Sequence, residues 1–197
     1  MIVFGTWSLS GACGALGEQV RLDVAFDRTG TLLSTGVYES MLLNSLVSVG
    51  DTANDVAVRA FVSVTLGAIP AGANVTKVVL RLRGSVSFGN PFGDFVLLTA
   101  DHVDVVTGID QADFLRSIIT SNVASLTSLP FFPAQENIEL DVTEYVKADL
   151  AAGRPISTFR FMFNSAPTAD AQFDSVSFEA YPADANMQPF GLATIAP

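Results

Sequence analysis

The sequence predicts an all-β protein, a single-domain jelly-roll β-sandwich with one or two short helices. Three observations lead there. Apolar and polar residues alternate at period two in many short stretches, the mark of strands with one face turned inward. Turn residues interrupt those stretches about every ten residues, the spacing of a sandwich or jelly roll. No longer period repeats, which argues against a solenoid, and 197 residues are enough to close one full core.

The clearest strands lie between Val58 and Gly84. Ala60, Val62, Val64 and Leu66 share one face of the first, and Arg59, Phe61, Ser63 and Thr65 the other. Val78, Leu80 and Leu82 alternate with Lys77, Val79, Arg81 and Arg83 in the second. Between them Ile69-Pro70-Ala71-Gly72-Ala73 combines a preset φ at proline with a free φ at glycine, which makes a turn. The pattern predicts a half-buried sheet layer.

The other elements follow the same grammar. Val3, Gly5, Trp7 and Leu9 share a face of an opening strand, and small residues run from Ser10 to Gly17. A strand is expected over Val20–Phe26, a turn at Arg28-Thr29-Gly30, and strands at Met41–Leu43 and Leu46–Val49. Ser87–Asp94 reads as a loop holding Phe88 and Phe92, followed by strands at Phe95–Ala100 and His102–Val106. Helical spacing over Asp110–Thr120 sets Phe114, Ile118 and Ile119 on one side, with Asp110 as N-cap. Leu126–Pro133 is an apolar loop, and Ile138, Leu140 and Val142 form a strand. Thr143 reads as the N-cap of a short helix that ends at Gly153, a natural residue just past a helix end. Thr158–Phe163 and Asp174–Tyr181 close the sandwich, and the tail from Pro182 is irregular apart from an apolar strip at Phe190–Leu192. Residues 1–40 are either N-terminal strands of the same sandwich or an assembly arm that reaches a neighbour, and residues 41–197 form the sandwich proper.

The middle of the chain resembles the disaggregatase-related (DNRLRE-like) domains, which are similar to jelly-roll carbohydrate-binding modules. The resemblance rests on Leu46-Val47-Ser48-Val49-Gly50-Asp51, the strand from Arg59 to Leu66, Ile69 to Val75, Leu80-Arg81-Leu82, and Leu140-Asp141-Val142-Thr143 leading into a short helix. It covers roughly residues 40 to 182 and implies a jelly-roll fold. For function it implies a ligand-binding, adhesive or structural module alike.

Composition narrows the classes. Hydrophobic residues make up 49% and charged residues 15%, against about 25% charged in a typical domain, and mean hydropathy is +0.43. No run approaches the roughly 18 to 20 apolar residues of a spanning helix, so no membrane span is expected. The excess therefore belongs to a large core or to surface covered by a partner. Lys77 and Lys147 are the only lysines, so edge strands lack the residue most used to block edge pairing. A net charge of −10 repels phosphate backbones, and nucleic-acid binding is not expected. The single cysteine, Cys13, permits neither an internal disulfide nor a thiolate cluster. The opening residues lack a basic n-region, and Gly5, Ser8, Ser10 and Gly11 break any apolar run, so no signal peptide is expected.

Chemistry is sparse. His102 is the only histidine; it stands in an alternating strand beside Asp101 and Asp104 with no nucleophile motif, and reads as a surface residue rather than a catalytic one. One His and one Cys cannot build the usual zinc sites. Asp51, Asp55, Asp110, Asp113, Asp141 and Glu179 lie near loop or strand ends, where a structural calcium would find carboxylates; Asp51, Asp110 and Asp141 are the metal candidates, and no other cofactor is expected. Fifteen phenylalanines against three tyrosines and one tryptophan weaken a sugar platform, which favours rings with a hydrogen-bonding edge. Exposed phenylalanines suit protein interfaces. Trp7, Phe88, Phe92, Phe131 and Phe132 are the interface or ligand-binding candidates.

The expectation is a non-catalytic structural or assembly protein, such as a virion-surface (capsid decoration or cement) or extracellular appendage subunit, that self-associates as a homo-oligomer or larger assembly through apolar loops. The alternative is a carbohydrate-binding or adhesive module with a polysaccharide partner.

Overall fold

Alternation at Val75–Phe88 builds the longest strand of the molecule, and the rest of the sheet is hung on it. The computed structural model describes residues 17–95, 97–105, 107–127, 137–165, 167–181, 184 and 188–196. Twelve strands form one curled antiparallel sheet among these residues. They are β1 (Glu18–Leu22), β2 (Gly30–Leu33), β3 (Tyr38–Ser40), β4 (Leu46–Asp51), β5 (Ala57–Thr65) and β6 (Val75–Phe88). After these come β7 (Leu97–Val103), β8 (Ile118–Thr127), β9 (Asn137–Asp141), β10 (Ile156–Phe163), β11 (Ser175–Glu179) and β12 (Phe190–Ile195). Three short helices, α1 (Pro91–Asp94), α2 (Gln111–Phe114) and α3 (Thr143–Ala151), lie between strands. None of them is long and apolar enough to cross a membrane.

The order across the sheet is β1-β12-β6-β11-β4-β5-β10-β7-β8, with β2 on the free side of β5 and β9 beside β6. β6 serves two neighbourhoods. Its first half pairs with β12 and β9, while Gly84 to Phe88 pair with β11. The sheet folds over between β11 and β10. β4 and β10 both pair on the side of β5 opposite β2, and the Phe161 and Phe178 rings, on β10 and β11, lie 5.4 Å apart. Between the folded parts sits the main core, with Val62, Val64, Val78, Leu80, Leu82, Phe159, Phe161 and Phe178 all fully buried.

The inward sets of both central strands are as the alternation predicts. The layer is not half-buried, however. Phe61 on the opposite face of β5 is also fully buried, in a second cluster with Leu32, Val103, Val105, Ile109 and Phe114. α2 and its flanking loop cover that face, so β5 is apolar on both sides.

Several local expectations change. Gly30 does not end a turn but opens β2, because without a Cβ it lets the Glu39 carbonyl and the Tyr38 ring come close. Met41–Leu43 is a turn, with Met41 buried and Leu43 exposed. The loop expected at Ser87–Asp94 is instead the end of β6 followed by the single turn of α1. Phe95–Val106 yields one strand, β7, and the apolar strip at the tail is the strand β12. Helix stops at Phe114. Ile118 and Ile119 belong to β8, where two β-branched residues in succession suit a strand better than a helix. The N-cap of α3 is Val142; Thr143 is the first helical residue and receives the Val78 N–H on its hydroxyl at 2.9 Å. Gly153 takes a φ of +68° at the end of α3, as expected of a residue just past a helix. Residues 18–40 supply β1 to β3 to the common sheet.

Candidate functional site

Five aspartates converge where β4, β6 and β11 meet at one end of the sheet. β4 ends in Gly50-Asp51, and the Asp51 N–H donates to the Asp174 carbonyl at 2.8 Å. Gly50 has a φ of +146°, and a Cβ there would collide with that carbonyl. Gly89, at φ +64°, follows β6, and a side chain there would strike the Asp174 carboxylate. These two glycines let the segment before β11 lie against both neighbours. Asp174 is thereby 2% exposed and Asp51 fully buried.

Asp51 Oδ2 accepts the Thr168 N–H at 2.8 Å and the Thr168 hydroxyl at 3.0 Å. Asp174 Oδ1 accepts the Asn90 N–H. The other oxygen of each, Asp51 Oδ1 and Asp174 Oδ2, is buried without a hydrogen-bond partner. α1 adds Asp94, and the 167–174 loop adds Asp170, flanked by Ala169 and Ala171 at φ +64° and +60°. Asp55, itself at φ +57°, ties in this loop by accepting the Ala171 N–H at 3.1 Å. Left-handed φ at alanine is costly and is held only where surrounding contacts fix it. Carboxylate oxygens of Asp94, Asp170 and Asp174 lie within 4.8 Å of one another. Partial desolvation, and then the charges of Asp174, Asp170 and Asp51, raise the Asp94 carboxyl above the usual carboxylate range.

No ion pair among the described residues reaches this cluster. Arg28, Arg81, Arg83, Arg116, Arg154, Arg160 and Lys147 are paired with other carboxylates. Arg21 pairs with Asp23, Arg59 lies over the Phe114 ring, and Lys77 neighbours Asp141. At the rim stands a phenylalanine pair, Phe88 and Phe173, with rings 5.5 Å apart and 46% and 43% exposed.

The residues singled out by sequence are distributed as follows. Phe88 is in the rim pair, whereas Phe92 packs edge-on against Phe163 at 5.6 Å. Trp7, Phe131 and Phe132 lie outside the described residues. Asp51 and Asp55 belong to the cluster. Asp110 instead caps α2, accepting the Ala112 N–H at 2.8 Å while Asp113 accepts the Asp110 N–H in return, a capping box. Asp113 also holds Arg116. Asp141 accepts the Thr143 hydroxyl and, at 3.0 Å, the Thr143 N–H at the start of α3, and the hydroxyl first and the N–H second hold its carboxyl below the usual range. Glu179 pairs with Arg83 at 2.9 Å. Asp94, Asp170 and Asp174 stand in no metal-binding motif; the one trace in sequence is the spacing of Asp170 and Asp174 in a run otherwise made of Ala, Gln and Phe.

His102 is not a surface residue. It is buried, its Nε2 lies 2.8 Å from Asp149 Oδ2, and its ring stacks on Phe159. α3 roofs this face of β7 and brings Asp149 with it. Burial, the largest influence on Asp149, raises its carboxyl, but the donors around it, His102, Ser157 and Arg154, outweigh burial and leave it below the usual range. A nucleophilic triad needs the imidazole between hydroxyl and carboxylate. Here the carboxylate stands between, and His102 Nδ1 has no partner. The group pins α3 to β7 and β10.

Fold and site thus define an all-β protein carrying an oxygen-rich, uncompensated carboxylate cluster under two exposed aromatic rings. The chain matches no protein-family model, and no characterised protein is significantly similar to it.

Proposed function

We propose that this chain is a non-catalytic structural protein, a jelly-roll β-sandwich of the kind the disaggregatase-related resemblance implies, acting as a subunit of a virion surface or extracellular appendage. The observation that carries the reading is the edge formed by β8. This strand is ten residues long, Ile118–Thr127, and contains neither a charged residue nor proline. Among the described residues it pairs only with β7 and ends the sheet order. Leu115 just before it is 80% exposed, and Ile118 and Ile119 within it are also exposed. Monomeric sheet proteins guard such an edge with lysine, proline or an inward charge; this one offers unpaired backbone and apolar side chains to a second copy. The bulge at Asn122 divides the edge into two short runs, so pairing would use Ile118–Thr120 or Ala124–Thr127.

Light scattering on the untagged protein during size-exclusion chromatography tests this directly. A dimer or larger species at low micromolar concentration is expected, reduced in mass by Ile119→Lys without loss of thermal stability. A 20.8 kDa species across the concentration series would overturn self-association. The Phe88–Phe173 pair favours a second reading, an adhesive or carbohydrate-binding module. On that reading the protein is monomeric and binds a polysaccharide saturably, and Phe88→Ser abolishes the binding.

A further inference from the structure

We infer that Asp94, Asp170 and Asp174, with the buried Asp51 beside them, form a divalent-cation site of the calcium class, which joins α1 and the 167–174 loop next to the end of β4. The site lies within one chain and does not require self-association.

Charge is the first ground. Two buried carboxylates, Asp51 and Asp174, sit with Asp94 and Asp170 beside them, and no ion pair among the described residues reaches any of the four. Buried carboxylates are ordinarily paired or metal-bound, because desolvation without compensation is costly.

The second ground is independent of the acidity. Asp174 Oδ2 and Asp51 Oδ1 are buried polar atoms with no donor. Each carboxylate has its first oxygen fixed by backbone N–H groups, Asn90 for Asp174 and Thr168 for Asp51. The carboxylate plane is therefore set, and the free oxygen is held ready for a ligand. Asp174 is itself one of the three groups whose oxygens lie within 4.8 Å of one another.

Chemistry then narrows the ion. Calcium takes about six to eight oxygen ligands in flexible geometry, whereas magnesium demands a near-ideal octahedron and keeps several waters. Three carboxylates carried by separate segments, α1 and the 167–174 loop, suit the more tolerant ion. An all-oxygen set without imidazole or thiolate disfavours zinc and copper, and the sole histidine is buried against Asp149.

The test is calorimetric titration of the full chain, freed of metal with EDTA and dialysed, with calcium chloride and separately with magnesium chloride. It is paired with thermal unfolding in each condition. Saturable binding of calcium, tighter than magnesium, and a rise in melting temperature on adding calcium are expected. Asp94→Asn and Asp170→Asn, both at exposed positions, should each weaken calcium binding on the order of 10- to 100-fold or more. In EDTA the same variants should melt no lower than the wild type, because each removes a repelling charge. Asp110→Asn, at the α2 cap, should leave calcium binding unchanged. Absence of calcium heat together with identical melting in EDTA and calcium would overturn the site. So would variants that melt lower in EDTA and still bind calcium as the wild type does, since the aspartates would then serve only as loop hydrogen-bond acceptors.

Discussion

Two groups of carboxylates in this molecule have opposite electrostatic fates. Under α2, Asp101 and Arg160 are both buried and paired at 3.1 Å, and Arg160 also donates to the carbonyls of Asp113, Phe114 and Arg116. Asp101 Oδ1 takes the Asn122 N–H, so both of its oxygens are used. At the other group, Asp51 and Asp174 are buried just as deeply, yet each keeps one oxygen unpartnered and no guanidinium approaches. The first group carries its counter-charge in the chain, and that counter-charge organises local structure: Arg160 gathers three carbonyls at the end of α2, and Asp101 fixes the bulge of β8. The second leaves its counter-charge to be supplied from outside, so its local structure depends on the surrounding solution. Burial alone does not distinguish a structural carboxylate from a binding one. The completeness of its partners does.

Breaking the compensated group should produce the largest effect. Arg160→Met leaves Asp101 charged and buried without a cation, and a loss of about 3 to 5 kcal/mol in urea unfolding is expected. Asp101→Leu combined with Arg160→Met should recover much of that loss, because the desolvation cost disappears with the charges. A double variant as unstable as the single one would mean that the carbonyl contacts of Arg160 carry the energy.

A smaller effect, with a sign, separates the two carboxylate environments by pH. The Asp149 carboxyl is held below its ordinary value, so its contribution is present above about pH 3.9 and is lost as pH falls through the depressed value. Asp149→Asn should therefore cost about 1 to 3 kcal/mol at neutral pH and little in strong acid. Asp94 is raised, so its contribution is present below about pH 3.9 and is lost as pH rises through the raised value. In EDTA, where the charges of Asp174, Asp170 and Asp51 act on it, Asp94→Asn should gain on the wild type as pH rises. Unfolding curves of both variants from pH 3 to 7, on the order of one point per unit, would show opposite slopes; parallel slopes would contradict the contrast.

The smallest effect belongs to a carboxylate with a local task. Asp110→Ala removes the capping box of α2 and should cost about 1 kcal/mol, measurable by the same urea titration.

How far the sequence reveals these features depends on the range of the interaction. Val78, Leu80 and Leu82 are legible because alternation is a property of neighbouring residues, and so is the glycine at 153. Helix and strand compete over Asp110–Thr120 because Phe114, Ile118 and Ile119 satisfy the helical spacing. Only the pairing of Ile118 with Val103 settles the strand. His102 reads as exposed beside two aspartates because nothing nearby announces that α3, some forty residues on, will roof it with Asp149. The aspartate cluster is the extreme case. Asp51 and Asp174 meet because Gly50 pairs with Ser175 across β4 and β11, while Phe88 of β6 pairs with the same serine from the other side. No local window contains that coincidence.

The pairing of β1 with β12 has a consequence for biosynthesis. Glu18 stands opposite Ile195, and β12 is inserted between β1 and the Val75–Arg81 segment of β6. During translation those two partners emerge from the ribosome long before the strand that separates them. Until Phe190–Ile195 is released, β1 and one flank of β6 must wait without their native neighbour. Completion of this part of the sheet therefore waits for its last strand, and non-local closure of this kind makes for slow folding. A nascent chain stalled before Phe190 would leave two strand edges open to other chains, and chaperone protection would matter most in that interval.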